Sequence, residues 1–204
     1  MKKPGHFTRL LALLLALAGH TTALSSELPH NKHWGVELNP FRFFAVGDHA
    51  VSGGFAYFDH TRRVEIAMPI FYQYDNSSSF PDETYRETTV DLHYRKYLGK
   101  RLQGIYLSAF LRYAHLYGNA YATRRYDGQG NYVLGGKRTE DKLGAGLGIG
   151  LRAFFDNGVY LGASLMFGRY LTGNQDIFSG DDDITSEDGR QIVDIELLKI
   201  GYAF

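Results

Sequence analysis

Residues 143–154 read LGAGLGIGLRAF. Leu143, Ala145, Leu147, Ile149 and Leu151 alternate with Gly144, Gly146, Gly148, Gly150 and Arg152. A period of two belongs to a strand, whose successive side chains point to opposite faces, and not to a helix. One face of this strand is aliphatic and the other is nearly bare. Which of the two meets solvent decides the fold.

The same period runs outward in both directions. Trp34, Val36 and Leu38 alternate with Gly35, Glu37 and Asn39, and VSGGFAYF follows from Val51. Val64, Ile66, Met68, Ile70 and Tyr72 oppose Arg63, Glu65, Ala67, Phe71 and Gln73. Val90, Leu92 and Tyr94 oppose Asp91, His93 and Arg95, and Ile105, Leu107, Ala109 and Leu111 oppose Tyr106, Ser108, Phe110 and Arg112. VYLGASLMFGRY and IVDIELLKIGYAF complete a set of eight strands. Two places break the pattern. Pro69 removes a ladder donor and predicts a bulge in the third strand. In the last strand Val193, Ile195 and Leu197 are odd, whereas Leu198, Ile200, Tyr202 and Phe204 are even. Either a bulge at Leu197–Leu198 resets the register, or Glu196 lies above the apolar band.

The connections alternate strictly in length. DHTR, GKRLQ and FDNG join strands two to three, four to five and six to seven. Long polar segments follow strands three, five and seven, and a shorter one around FFAVGDH follows the first. Short turns at one end and long loops at the other are the pattern of a transmembrane barrel. The longest connection predicts a further hairpin turning at DGQGN, residues 127–131.

Alternation alone also fits a soluble barrel with an apolar interior. The glycine row favours the opposite sense. On a water-facing strand Gly144, Gly146, Gly148 and Gly150 would be poorly supported, whereas in a narrow lumen they leave room for long side chains from neighbouring strands. The lumen would then hold Glu37, Glu65, Asp91, His93, Arg95, Arg112, Arg152 and Lys199. Apart from the histidine these are three acids and four bases, near the balance a buried ionic network needs. Tyr72, Tyr74, Tyr94, Tyr113, Tyr202 and Phe204 fall at strand ends, where interfacial girdles lie.

Composition agrees. The 204 residues suit one domain, with 15 Tyr, 14 Phe and 24 Gly but only 5 Pro, a strand-forming mixture. The first 23 residues combine Lys2, Lys3 and Arg9, an apolar run from Leu10 to Ala18, and small residues at Thr21 and Ala23. They read as a signal peptide cut after Ala23, because the run is too short to span a bilayer as a helix. Cleavage takes three basic residues and no acidic one from a chain with 22 of each sign, leaving a formal charge of −3. No basic stripe invites nucleic acid. There is no cysteine, so neither a disulfide staple nor a lipid anchor on a terminal cysteine is expected. The expected organisation is a signal peptide over 1–23, a flexible leader over 24–33, and a barrel over 34–204.

The chain ends in IGYAF, with Ile200, Tyr202 and Phe204 on one face. This ending resembles the assembly signal of outer-membrane β-barrels. Taken with the alternating strands, the whole mature chain resembles the small eight-stranded barrels of Gram-negative bacteria, the class of the OmpA barrel, OmpX, OmpW and PagL. The resemblance implies an outer-membrane location, both chain ends in the periplasm, and recognition by the barrel-assembly machinery. It also implies contact with outer-membrane lipid and lipopolysaccharide, and leaves no room for a peptidoglycan-binding domain after Phe204.

Some barrels of this class edit lipid A, and the PagL-like deacylases carry His and Ser two apart. No His-x-Ser occurs here, since Tyr94 and Arg95 follow His93, and Leu116 and Tyr117 follow His115. Asp91, His93 and Arg95 share a face able to orient a histidine for proton transfer, but a lumen filler is the plainer reading. Asp181, Asp182, Asp183, Glu187 and Asp188 lack the EF-hand spacing, with Ser186 where the turn glycine belongs, and read as a solvated loop. His30 and His33 alone make a weak metal site. No cofactor and no metal are expected. Arg124, Arg125, Lys137, Arg138 and Arg169 fall at the outer rim and suit lipopolysaccharide phosphates. The leading expectation is a structural or surface-interaction barrel. The alternatives are a lipid-modifying enzyme and a conduit for small apolar molecules, although eight strands leave an interior wide enough only for side chains.

Overall fold

The alternating stretches become strands in the computed structural model of the chain, which describes residues 27–40, 50–76, 84–119, 125–126, 132–133, 137–173 and 191–204. They are β1 (Trp34–Leu38), β2 (Ala50–Asp59), β3 (Val64–Asn76), β4 (Thr84–Tyr97) and β5 (Gly104–Asn119). A short pair, β6 (Arg125–Tyr126) and β7 (Tyr132–Val133), precedes β8 (Lys137–Phe154), β9 (Val159–Tyr170) and β10 (Gln191–Ala203). All but β6 and β7 form one closed antiparallel up-and-down barrel, in the order β1-β10-β9-β8-β5-β4-β3-β2. Closure falls between the first and last strands, where Gly35 faces Ala203 and Leu38 faces Ile200. The Phe204 carbonyl accepts from the amides of His33 and Trp34, each at 3.1 Å, and the Phe204 amide donates to the Trp34 carbonyl at 2.8 Å. The signal peptide expected over 1–23 lies outside the described residues.

Three short turns, at 60–63, 98–103 and 155–158, share one end of the barrel with the start of β1 and the end of β10. The last is closed by bonds of 2.8 Å from Phe155 N to Val159 O and from Gly158 N to Phe155 O. Gly158 sits at φ 91, in the left-handed region where a side chain is disfavoured. Leu38, Asn76, Asn119 and Tyr170, the strand ends from which the longer connections leave, share the other end. Within the longest, β6 and β7 pair Arg125 with Val133 and Tyr126 with Tyr132, bracketing residues 127–131, where a hairpin turn was expected.

The two irregular positions resolve differently. Pro69 makes no bulge: Ala67 faces His93 and Ile70 faces Val90, so equal numbers of residues separate these pairs on β3 and β4. The proline interrupts the ladder without inserting a residue, and on its other side it faces Gly54 in unbroken register. In β10 the bulge is real. Glu196 faces Ser164 and Lys199 faces Gly162, three steps on β10 against two on β9. Leu198 absorbs the extra residue at φ 56. Glu196 and Lys199 consequently both point inward, while Val193, Ile195, Leu198, Ile200, Tyr202 and Phe204 all point outward.

The apolar face is the outer one. Leu111 is 61% exposed and Leu147 69%, while Arg95 and Glu65 have no exposed surface. The inward glycines make space for rings. A Cβ on Gly150 would stand 2.2 Å from the Tyr106 ring, and one on Gly146 would stand 2.5 Å from the Phe110 ring. The turn end of the lumen is plugged by Phe58, Tyr97, Tyr106, Phe154 and Tyr160 with Leu102. Leu28 completes this plug with no exposed surface. Residues 27–33 are therefore packed against the barrel, and not the flexible leader expected there. Lys32 ties them down, its Nζ donating to the Ala203 carbonyl at 2.8 Å and lying 4.7 Å from the centre of the Tyr202 ring. A buried leucine in the plug offsets the entropy of ordering this segment.

Candidate functional site

Period-two alternation on a closed barrel sends every second residue of each strand into one narrow space. Glu37, Glu65, Asp91, His93, Arg95, Arg112, Arg152 and Lys199 all lie there, buried. They form groups joined across strands far apart in sequence. Near the plug, Glu37 on β1, Glu65 on β3, Arg95 on β4 and Arg152 on β8 make a neutral quartet. Arg95 Nη1 donates to Glu65 Oε1 at 2.5 Å and lies 3.7 Å from Glu37 Oε1. Arg152 donates to Glu37 Oε2 at 2.6 Å, and its Nη1 lies 3.0 Å from Glu65 Oε1. Tyr97 donates its hydroxyl to Glu65 Oε2 at 2.6 Å. The Arg152 guanidinium covers the Tyr160 ring, 4.4 Å from its centre. Beside the quartet, Lys199 pairs with Glu196, which also accepts from the Ser164 hydroxyl at 2.8 Å.

Closer to the loops, Arg112 grips Asp91 with two bonds, Nε to Oδ1 at 2.8 Å and Nη2 to Oδ2 at 2.7 Å. The same Nη2 donates to Asp194 Oδ2 at 2.7 Å. His93 Nε2 stands 3.3 Å from Asp91 Oδ2, and His93 Nδ1 stands 3.2 Å from Ser108 Oγ. Arg95, which shares a face with Asp91 and His93, bonds into the quartet instead. Asp194 and Glu196 were not counted among the lumen charges in the sequence, although Glu196 was noted beside the irregular position. The shift of parity in the last strand hid them, and the bulge that returns Glu196 and Lys199 to the same side is the signal that would have found them.

Ser108, His93 and Asp91 follow the contact order of a nucleophile, a base and an orienting acid. Reaction also needs a substrate within hydrogen-bond reach of the hydroxyl. Ser108 is only 5% exposed, Arg112 already holds both oxygens of Asp91, and Phe110 stacks on the His93 ring at 5.5 Å. The arrangement satisfies buried polar groups and holds neighbouring strands in register.

The outer face carries the other features. Tyr72, Tyr94, Tyr113, Tyr202 and Phe204 are exposed, Tyr74 is half-buried, and Ile200 is exposed beside Tyr202. Two shallow apolar grooves run over this surface. One, about 670 Å³, follows the closure seam beside Val36, Leu38, Phe55 and Ile200. The other, about 430 Å³, crosses β4, β5 and β8 where Ala109 and Ala145 leave room between Leu92, Tyr94 and Leu111. At the loop end, the Arg86 guanidinium lies 5.1 Å from the Tyr74 ring centre and 5.8 Å from that of Tyr117. One strand over, Asp141 Oδ1 accepts from Tyr113 Oη at 2.7 Å and is paired with His115 Nδ1 at 2.7 Å.

Of the basic residues expected at the rim, Lys137 and Arg138 are exposed at the loop end of β8, and Arg169 is exposed on β9. Arg125 belongs to β6, while Arg124 and the acidic residues 181–188 lie outside the described residues. His30 and His33 come close to His60, with ring centres 5.0 and 5.2 Å from it. Among the described residues no three ligating groups are assembled for a metal ion. Comparison with protein-family models, with curated proteins and with solved structures finds no match for the chain.

Proposed function

We propose that the chain is an integral outer-membrane β-barrel with a structural or surface-interaction role, exported by residues 1–23 and inserted with its long loops outward. One observation carries this reading: aliphatic side chains and an outer set of aromatic ones cover the outside of the barrel, while the charged groups lie inside with the plug. Soluble monomers rarely expose contiguous apolar patches beyond a few hundred Å², and here the apolar face continues from strand to strand around the barrel. A bilayer covers such a surface, and a closed barrel leaves no unpaired edge within it. Ile200, Tyr202 and Phe204 serve as the assembly signal, and Lys137, Arg138 and Arg169, with Arg124 and Arg125, meet lipopolysaccharide phosphates. The charged quartet fills the lumen, so no stable ion current is expected. The test is the gel mobility of the protein from isolated outer membranes, with and without boiling in SDS. A heat-dependent shift in that fraction supports the reading; recovery as soluble periplasmic protein overturns it.

A second reading, a lipid-modifying hydrolase, is favoured by the His115–Asp141 pair. Its carboxylate holds Nδ1 and leaves Nε2 to take a proton from water attacking an acyl ester, the proton passing on to the leaving alkoxide. It faces outward at the loop end, where such esters lie in an outer leaflet. Loss of lipid deacylation in His115→Asn membranes supports it; unchanged lipid in cells lacking the whole protein removes it.

A further inference from the structure

Arg86, Tyr74 and Tyr117 form a row across three strands. In the register of the barrel wall Tyr74 faces Arg86 on one side and Tyr117 faces it on the other. All three point outward, since Tyr72, Leu92 and Tyr113 share their parity and are exposed. The two rings lie against a planar guanidinium at 5.1 and 5.8 Å. Stacking of this kind fixes the plane of an arginine and leaves its edge N–H groups as the available donors. Arg86 is exposed and has no carboxylate partner among the described residues. A held, unneutralised fork of donors is suited to a phosphate.

The wall below the row points to what carries the phosphate. Thr88, Val90 and Leu92 continue down β4 from Arg86 on the same face, and Leu92 borders the 430 Å³ groove over Ala109 and Ala145. Six residues of strand separate Arg86 from Leu92, about 20 Å at a strand's rise. That is somewhat more than one leaflet's share of a hydrocarbon core about 30 Å thick, so a single amphiphile reaches both features. The larger groove along the seam has no stacked cation at its loop end among the described residues.

We infer, on the membrane location proposed above, that Arg86 with Tyr74 and Tyr117 binds the phosphate of one anionic amphiphile whose acyl chain lies in the groove over Ala109 and Ala145. The phosphate selects the ligand and the groove holds it. Arg86 thereby adds a lipid contact that the rim positions Lys137, Arg138 and Arg169 do not include.

The test uses the folded protein in non-ionic detergent micelles, titrated with dioleoyl phosphatidic acid, dioleoylglycerol or inorganic phosphate and read by native mass spectrometry. One phosphatidic acid per chain is retained in preference to the diacylglycerol. Arg86→Gln weakens it roughly tenfold or more, the loss of a charge-assisted contact, and Arg86→Lys weakens it less. Ala109→Trp fills the groove and weakens it as well, whereas Arg62→Gln, at the turn end, leaves it unchanged. Equal retention of the two lipids, or Arg86→Gln binding as well as Arg62→Gln, overturns the assignment. So does a response that Ala109→Trp leaves intact and inorganic phosphate reproduces, which marks a free-anion site. Membrane fractionation reads location separately. A membrane-bound protein that does not discriminate between the lipids loses only this site, and a protein absent from membranes loses both.

Discussion

Arg152 on β8 donates to Glu37 on β1 at 2.6 Å, across the lumen and across 115 residues of chain. Neither residue has a solvent route to neutralise its charge, since Arg152 is 1% exposed and Glu37 5%. Removing one member leaves two buried glutamates sharing the remaining Arg95. Arg152→Met is therefore expected to cost about 3–5 kcal/mol, the penalty for stranding a buried charge. Removing charge of both signs, as in Glu37→Gln with Arg152→Met, is expected to cost much less. Urea unfolding in micelles, followed by the fluorescence of Trp34, the only tryptophan, measures both. A loss in the double variant equal to the sum of the losses of Glu37→Gln and Arg152→Met alone would show that the pair is not coupled.

Gly150 and Tyr106 face one another across the β5–β8 ladder, and the ring occupies the volume a side chain would need. Gly150→Ala places a methyl against an aromatic ring wedged in the plug. Overpacking of this kind typically costs about 1–3 kcal/mol. Tyr106→Ala vacates the space, so Gly150→Ala is expected to be nearly harmless in that background. A double-mutant cycle on unfolding midpoints isolates the term, and additive losses would place the cost elsewhere.

The barrel was legible because a period of two survives wherever a strand has one polar and one apolar side, and because turn lengths alternate. The LGAGLGIG stretch showed the sense of the faces for a steric reason: its glycines lie opposite Tyr106 and Phe110. The partners within the lumen were not legible. Arg95 meets Glu65 directly across the β3–β4 ladder, but it reaches Glu37 on β1 because strand tilt brings non-adjacent strands to one height, and no local spacing encodes tilt. Pro69 misled because an interrupted ladder and an inserted residue look alike in sequence. The leader misled because Leu28 is buried by residues from distant strands.

Phe204 closes the seam through its backbone while its ring points outward. These roles separate experimentally. Phe204→Ala keeps the bonds to Trp34 and His33, so refolding in micelles is expected to be close to normal. If the ring is read by the assembly machinery, the same variant is depleted from outer membranes in cells. Deleting Phe204 removes the three backbone bonds as well and is expected to slow refolding itself. Normal membrane levels of Phe204→Ala would remove the assembly role.

Leu198 holds the last strand in its two registers at once. Its left-handed backbone, at φ 56, is disfavoured for a leucine by about 1–2 kcal/mol. The strain is offset because the bulge places Glu196 and Lys199 on the same side, each buried and each the other's partner. Deleting Leu198 leaves one parity for the whole strand. With Ile200 and Tyr202 outward, plain alternation then keeps Lys199, Glu196, Asp194 and Ile192 inward, and Arg112 keeps Asp194. The deletion removes the extra residue without reversing a face, so it is expected to retain the heat-dependent gel shift. Leu198→Gly retains the bulge and relieves the backbone, and is expected to fold at least as well as the parent. A deletion variant that loses the shift would mean that closure needs the bulge itself and not only the faces on either side of it.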